Sequence, residues 1–131
     1  MIVTPLYAGL LTLLFLLLSL RVVQLRQKGI SLGDGGDPKM RRVIRGHANF
    51  AEYVPLALLM MAILELGRNS IYVLHAIGIT LILSRILHGY ALSFTPKFRF
   101  GRVWGAALTF TALIAEAVLC LWQACQGMTI I

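Results

Sequence analysis

The chain has 131 residues, of which 59% are hydrophobic and 13% are charged, whereas a soluble domain has about 45–50% apolar and about 25% charged residues. Too few polar residues are present to cover a soluble domain of this length, so the composition indicates an integral membrane protein. The net charge of +7 does not indicate nucleic-acid binding, because eleven of the twelve Lys and Arg residues lie in two stretches, 21–45 and 85–102, between long apolar runs.

Four apolar segments each supply the roughly 20 residues that a membrane-spanning helix needs. The predicted helices cover residues 5–25, 46–66, 71–94 and 102–124. We expect the first helix to be retained rather than cleaved as a secretory signal, because no basic residues precede it and no small-residue cleavage site follows its apolar core. The predicted fold class is therefore an all-α integral membrane protein, a bundle of four transmembrane helices in one domain over residues 1–131.

The positions of the basic residues predict how the helices are oriented. Lys and Arg are concentrated between the first two helices and between the last two, whereas the turn between the second and third helices contains only Arg68. Both ends of the chain lack Lys and Arg. Because cytoplasmic loops carry an excess of these residues, we expect the first and third loops to be cytoplasmic and both termini to be non-cytoplasmic.

The second predicted helix opens with polar residues on one face. Arg45, Asn49 and Glu52 are spaced i, i+4 and i+7, so their side chains stack along the helix. Pro55 follows and removes one backbone hydrogen bond. Since ionisable residues within a membrane usually mark a functional site or a buried partner, two interpretations stay open: a ligand site, or an Arg45–Glu52 pair with Asn49 bridging two helices.

The other predicted helices bring polar side chains to the same cytoplasmic level. These are Arg21, Arg85, His88, Tyr90, Arg99 and Arg102. A pocket among them would be strongly cationic, with the carboxylate of Glu52 set into it. Such a pocket suits a small polyanionic ligand that also carries an ammonium group.

The run Arg45–Pro55, with the pattern R-x-H-x-N-x-x-E-Y-x-P, resembles the signature of the MAPEG family, the membrane-associated proteins in eicosanoid and glutathione metabolism. The Arg85-x-x-His88 pair and the Arg102-x-x-Gly105 opening of the fourth helix are similar to that family too. The resemblance covers essentially the whole chain. The charged first loop, which contains the sequence GDGGD, is similar to the short bacterial branch of the family.

This resemblance implies a homotrimer in the bacterial inner membrane, with glutathione bound as co-substrate between neighbouring subunits near the cytoplasmic face. By matching position, Glu52 would accept the α-amino group of glutathione and Tyr53 would add a hydroxyl. The remaining binding residues would be Arg21, Arg45, Asn49, Arg85, His88 and Tyr90. Arg102 would face the sulfur and stabilise the thiolate by charge, which makes a thiol nucleophilic at neutral pH. Arg99 is the alternative cation.

The leading hypothesis is a glutathione-dependent transferase or peroxidase that acts on small lipophilic electrophiles dissolved in the membrane. The alternative is a non-catalytic glutathione- or lipid-binding membrane module. Prostaglandin- or leukotriene-type chemistry is not expected, because Ala48 and Leu92 stand where one eicosanoid-forming branch has arginine and tyrosine. The histidines and cysteines show no metal-ligand spacing, so no metal site is expected.

Two further acidic residues lie within predicted helices. Glu116 falls near the middle of the fourth helix, where a charge is most costly, and we expect a neutral carboxyl group that is hydrogen-bonded to another helix. The candidate partners are Thr80, Ser84 and Thr111. A proton-relay role for Glu116 is the alternative. Glu65 and Arg68, three residues apart, are expected to form an interfacial ion pair.

Overall fold

A computed structural model of the protein describes residues 1–30, 32–95 and 97–128. The described helices are α1 (Val3–Arg26), α2 (Pro38–Leu66), α3 (Ile71–Ser93) and α4 (Arg99–Met128). All four are long and apolar enough to cross a membrane. The all-α fold with four membrane-spanning helices is therefore as the sequence predicts.

Helix α2 begins at Pro38, well before the expected start at residue 46. Asp37 caps its N-terminus, because the side chain accepts a hydrogen bond of 2.8 Å from the backbone N–H of Lys39. Pro38 occupies the first helical position, where its missing N–H is not needed. The arginines at 41, 42 and 45 consequently belong to the helix and not to a loop.

The helices pack with α1 against α2 and α3, and with α4 against α3 and α2. Within the described ranges, α1 and α4 do not contact each other. Apolar clusters fill the bundle along its length, and many large apolar side chains remain exposed on its outer surface, as expected of a protein that is surrounded by lipid. We call the end where α1 ends and α2 begins the basic end.

Glu65 joins α1 to α2 at the opposite end of the bundle. Its carboxylate accepts hydrogen bonds from the backbone N–H groups of Ile2, Val3 and Thr4, the last two at 2.8 Å. The first backbone N–H groups of a helix have no acceptor within that helix. Glu65 of α2 provides the acceptor for those of α1. The expected ion pair with Arg68 is wrong: it is absent from the part of the chain that the structure describes.

A glycine permits close packing of α3 and α4 near the basic end. A Cβ atom at Gly105 would lie 2.7 Å from Cβ of His88 and 2.8 Å from the carbonyl oxygen of Ser84. Real Cβ atoms do not approach other atoms so closely. The glycine therefore lets α4 approach the part of α3 that carries Arg85 and His88.

Candidate functional site

A cavity of about 350 Å³ lies among α2, α3 and α4 at the basic end. Its lining residues are Arg41, Arg42, Arg45, Asn49, His88, Leu92 and Arg102. We call this cavity the basic pocket. Four of the described lining residues are arginines and none of them is acidic, so the cavity suits negatively charged groups. It brings together Arg45, Asn49, His88 and Arg102 from the predicted set.

The α2 side of the basic pocket follows from helical periodicity. Arg41, Arg45 and Asn49 are four residues apart, which places them on one face. Glu52 lies next along this face but does not line the cavity, and its Oε1 is 3.4 Å from Nη1 of Arg45. The two side chains are 48% and 60% exposed, and such an exposed ion pair contributes little to stability.

Arg85 connects three helices immediately behind the basic pocket. Its side chain is only 2% exposed, and Nη1 donates a hydrogen bond of 2.8 Å to Oδ1 of Asn49. Nη2 donates to the hydroxyl of Thr109 and, at 3.4 Å, to the carbonyl of Gly105. Arg85 does not line the cavity. It instead orients the Asn49 amide, which does.

Two lining residues have buried nitrogen atoms without a hydrogen-bond partner within the described ranges. These atoms are Nδ1 of His88 and Nε of Arg42. The His88 side chain is only 7% exposed. A buried polar atom without a partner costs roughly 1–3 kcal/mol. A ligand with acceptor oxygens would recover part of this cost, with Nε–H of Arg42 as one donor and Nδ1 of His88, in the tautomer that carries its proton there, as the other.

Three predicted binding residues lie away from the basic pocket of their own chain. The Arg21 guanidinium is 5.2 Å from the centre of the Phe94 ring, and Tyr90 stacks on the same ring at 5.7 Å. Tyr53 contacts Phe110 edge-on at 5.6 Å. Arg99, the alternative cation for the thiolate, also lies outside the cavity lining.

Arg41 and Arg42 are lining residues that the sequence interpretation did not select. The Asp37–Pro38 pair, an N-cap residue followed by proline at the first helical position, indicates that these arginines are helical. Nε of Arg41 is 2.6 Å from Oδ2 of Asp34 in the preceding loop. This hydrogen bond holds the pKa of Asp34 below its ordinary value. Asp34 therefore pairs with Arg41, whereas Arg42 lines the cavity without this partner.

Glu116 is separate from this site. Its side chain is fully buried, and both carboxyl oxygens lack a hydrogen-bond partner within the described ranges. The expected hydrogen bond to another helix is therefore wrong. Thr109, the nearest polar residue of the Arg85 network along α4, is separated from Glu116 by about 10 Å of helix rise. Within the part of the chain that the structure describes, no hydrogen bond joins the Glu116 carboxyl to the basic pocket.

Comparisons with known proteins agree with the sequence motifs. The sequence model of the MAPEG family matches residues 4–122. The chain is also similar to the inner membrane protein YecN from two strains of Escherichia coli. Each is 36% identical over 121 residues, which are 92% of this chain and 91% of the relative. No solved structure gives a significant match.

Proposed function

This chain belongs to the MAPEG family, and we propose that it is a membrane-bound glutathione-dependent transferase or peroxidase acting on small lipophilic electrophiles. The observation that carries the proposal is the basic pocket, with four arginines, Asn49 and His88 around one cavity. Glutathione carries two carboxylates and a thiol. The arginines offer a cation to each carboxylate and to the thiolate.

The roles follow from position around the cavity. Arg42 and Arg45 on α2 would bind the carboxylates, and the amide of Asn49 would bind the peptide backbone. Arg102 lies across the cavity on α4 and would face the sulfur, where its charge favours the thiolate. Glu52, beside Arg45, would accept the α-amino group. The thiolate would then attack an electrophile that reaches the pocket from the lipid.

We propose that the site is completed between subunits of a homotrimer. Glu52 lies beside the cavity and is about half exposed. Arg21, Tyr53 and Tyr90 lie outside the basic pocket of their own chain. In a trimer these side chains would contribute to the basic pocket of a neighbouring subunit. Glutathione would then contact two chains.

A second candidate function is a non-catalytic module that binds glutathione or lipid. The exposure of Arg102 favours it, because solvent and salt weaken the electric field of an exposed charge. A guanidinium in contact with water stabilises a thiolate less than a shielded one. Catalysis therefore requires that the assembled trimer cover Arg102.

Native mass spectrometry in mild detergent tests binding and assembly together. We expect a trimer that binds glutathione, and we expect Glu52→Gln to weaken binding at least tenfold because the ammonium group loses its carboxylate partner. The matched control is a glutathione analogue without the α-amino group, which Glu52→Gln should affect less than twofold. If Glu52→Gln weakens binding of both ligands equally, Glu52 does not bind the ammonium group. A monomer that binds glutathione would contradict the intersubunit site.

We also propose that the protein lies in the bacterial inner membrane, as its relative YecN does by name, with both termini non-cytoplasmic. Single cysteines replacing Ile2, Lys28 or Lys97, in a background without Cys120 and Cys125, test this orientation. A membrane-impermeant maleimide should label position 2 in intact spheroplasts and positions 28 and 97 only in inverted vesicles. The opposite pattern would reverse the orientation.

A further inference from the structure

The basic pocket carries more positive charge than the neighbouring carboxylates neutralise. Asp34 pairs with Arg41 and Glu52 pairs with Arg45, both at the edge of the cavity. In the part of the chain that the structure describes, no acidic side chain pairs with Arg42 or Arg102. Two guanidinium groups therefore face one cavity without counter-charge.

Two lining residues of the basic pocket have buried nitrogen atoms for which the described residues supply no partner. Nδ1 of His88 and Nε of Arg42 are both buried and unpartnered within the described ranges, and the His88 side chain is more than nine-tenths buried. Arg42, His88 and Arg102 come from three different helices. A group that accepts hydrogen bonds from the two guanidinium groups and from the Nδ1–H tautomer of His88 needs several acceptor oxygens pointing in different directions. A tetrahedral phosphate has this geometry, and arginine forks bind it in a bidentate manner.

Exposed aromatic residues indicate the depth of the basic pocket in the membrane. Phe100 and Trp104 flank Arg102 on α4 and are 61% and 52% exposed, and Tyr90 is exposed near the end of α3. Aromatic side chains are enriched where lipid headgroups meet the hydrocarbon. Basic pockets between transmembrane helices on the cytoplasmic side bind the headgroups of acidic lipids. The pocket therefore lies at a level where phosphate groups are abundant.

We propose that the basic pocket also binds phosphate esters, held by Arg42, His88 and Arg102, in competition with glutathione. The ester is either the headgroup of an acidic phospholipid or a water-soluble monoester, since both present anionic non-bridging phosphate oxygens, two in the diester and three in the monoester. Phosphate binding itself does not depend on the proposed enzymatic function. Only the competition with glutathione rests on it.

The test uses the purified full-length protein and three probes: dioleoylphosphatidylglycerol, dioleoylphosphatidylcholine and glycerol 1-phosphate. Binding is measured by native mass spectrometry for the lipids and by phosphorus NMR titration for the soluble ester. We expect phosphatidylglycerol, glycerol 1-phosphate or both to bind, and Arg42→Gln to weaken binding at least tenfold. Arg99→Gln, the same charge change outside the cavity lining, should weaken it less than twofold.

The pattern of binding identifies the source of the phosphate. Binding of phosphatidylglycerol alone assigns a lipid headgroup, binding of glycerol 1-phosphate alone assigns a soluble ester, and binding of both supports a site for the phosphate group from either source. The proposal is overturned if neither probe binds or if phosphatidylcholine binds as tightly as phosphatidylglycerol. An equal loss in Arg42→Gln and Arg99→Gln also overturns it. If Arg42→Gln does not fold, Arg102→Gln replaces it, because that side chain is exposed and its loss should leave the bundle intact.

Competition separates this inference from the proposed function. Saturating phosphate ester should weaken glutathione binding at least tenfold. If glutathione binds with unchanged affinity, the shared site is wrong while the glutathione site stands. If phosphate esters bind and glutathione does not bind at all, the proposed function fails while phosphate binding stands.

Discussion

Replacing Arg102 by leucine is expected to abolish most of the turnover while changing glutathione affinity by less than about tenfold. The cysteine thiol has a reference pKa of about 8.5, and an opposite charge a few ångströms away lowers such a value by about one to three units. At pH 7 this shift raises the thiolate fraction from about 3% to about 24–97%, so loss of the guanidinium would reduce it by roughly eightfold to thirtyfold. Binding is retained because Arg42, Arg45 and Asn49 remain in the cavity wall.

The measurements are conjugation of a model electrophile and the ultraviolet absorbance of the glutathione thiolate. Arg99→Leu is the matched control, because it removes the same charge one helical turn away and outside the basic pocket. It should leave both signals unchanged. A thiolate signal that survives in Arg102→Leu would assign the stabilising cation elsewhere. If the wild-type protein binds glutathione without forming any thiolate, the non-catalytic module becomes the better description.

The helices could be predicted from the sequence because hydrocarbon demands long apolar segments. The error of several residues at the start of α2 has a physical reason. Residues 38–45 are polar, so hydropathy places them in a loop, whereas the Asp37 cap and Pro38 at the first helical position extend the helix through them. Capping depends on single side chains, whereas a hydropathy profile averages over many residues and does not detect them. The arginines at 41 and 42 were missed for this reason.

Residues of the candidate site could be predicted where they belong to a sequence motif, whereas contacts between distant parts of the chain, at the site or elsewhere, could not. Helical spacing and the family resemblance identified Arg45, Asn49, His88 and Arg102, which now share one cavity. The acceptor role of Glu65 could not be predicted, because its partners are backbone groups more than 60 residues earlier. The sequence interval between two groups does not reveal such a contact.

Arg85 is a charged residue of the motif that does not line the basic pocket. Its guanidinium is buried and bonded to Asn49, Thr109 and Gly105. Within the described ranges it has no acidic partner. Burying such a charge costs several kcal/mol, so the residue is unfavourable for stability alone. We infer that the role of Arg85 is functional, and that it orients the Asn49 amide toward the cavity through their hydrogen bond.

Arg85→Met is therefore expected to weaken glutathione binding without unfolding the protein. Methionine fills a similar volume and removes the buried charge. The acceptors left behind keep other partners, because Thr109 still donates to Gly105 at 2.8 Å and Asn49 faces the cavity. We expect the melting temperature in detergent to stay the same or rise. Loss of the oriented amide should weaken binding by roughly tenfold to hundredfold, the equivalent of one hydrogen bond to a buried group.

Arg85→Lys is the informative comparison, because it keeps the charge but loses the rigid fork that reaches three acceptors. Lysine should lower the melting temperature below that of Arg85→Met, since the ammonium group stays buried with fewer hydrogen bonds. Both variants should bind glutathione weakly, because neither fixes the Asn49 amide. If Arg85→Met instead unfolds while Arg85→Lys is stable, the charge itself holds the bundle together. The role of Arg85 in positioning Asn49 would then be secondary.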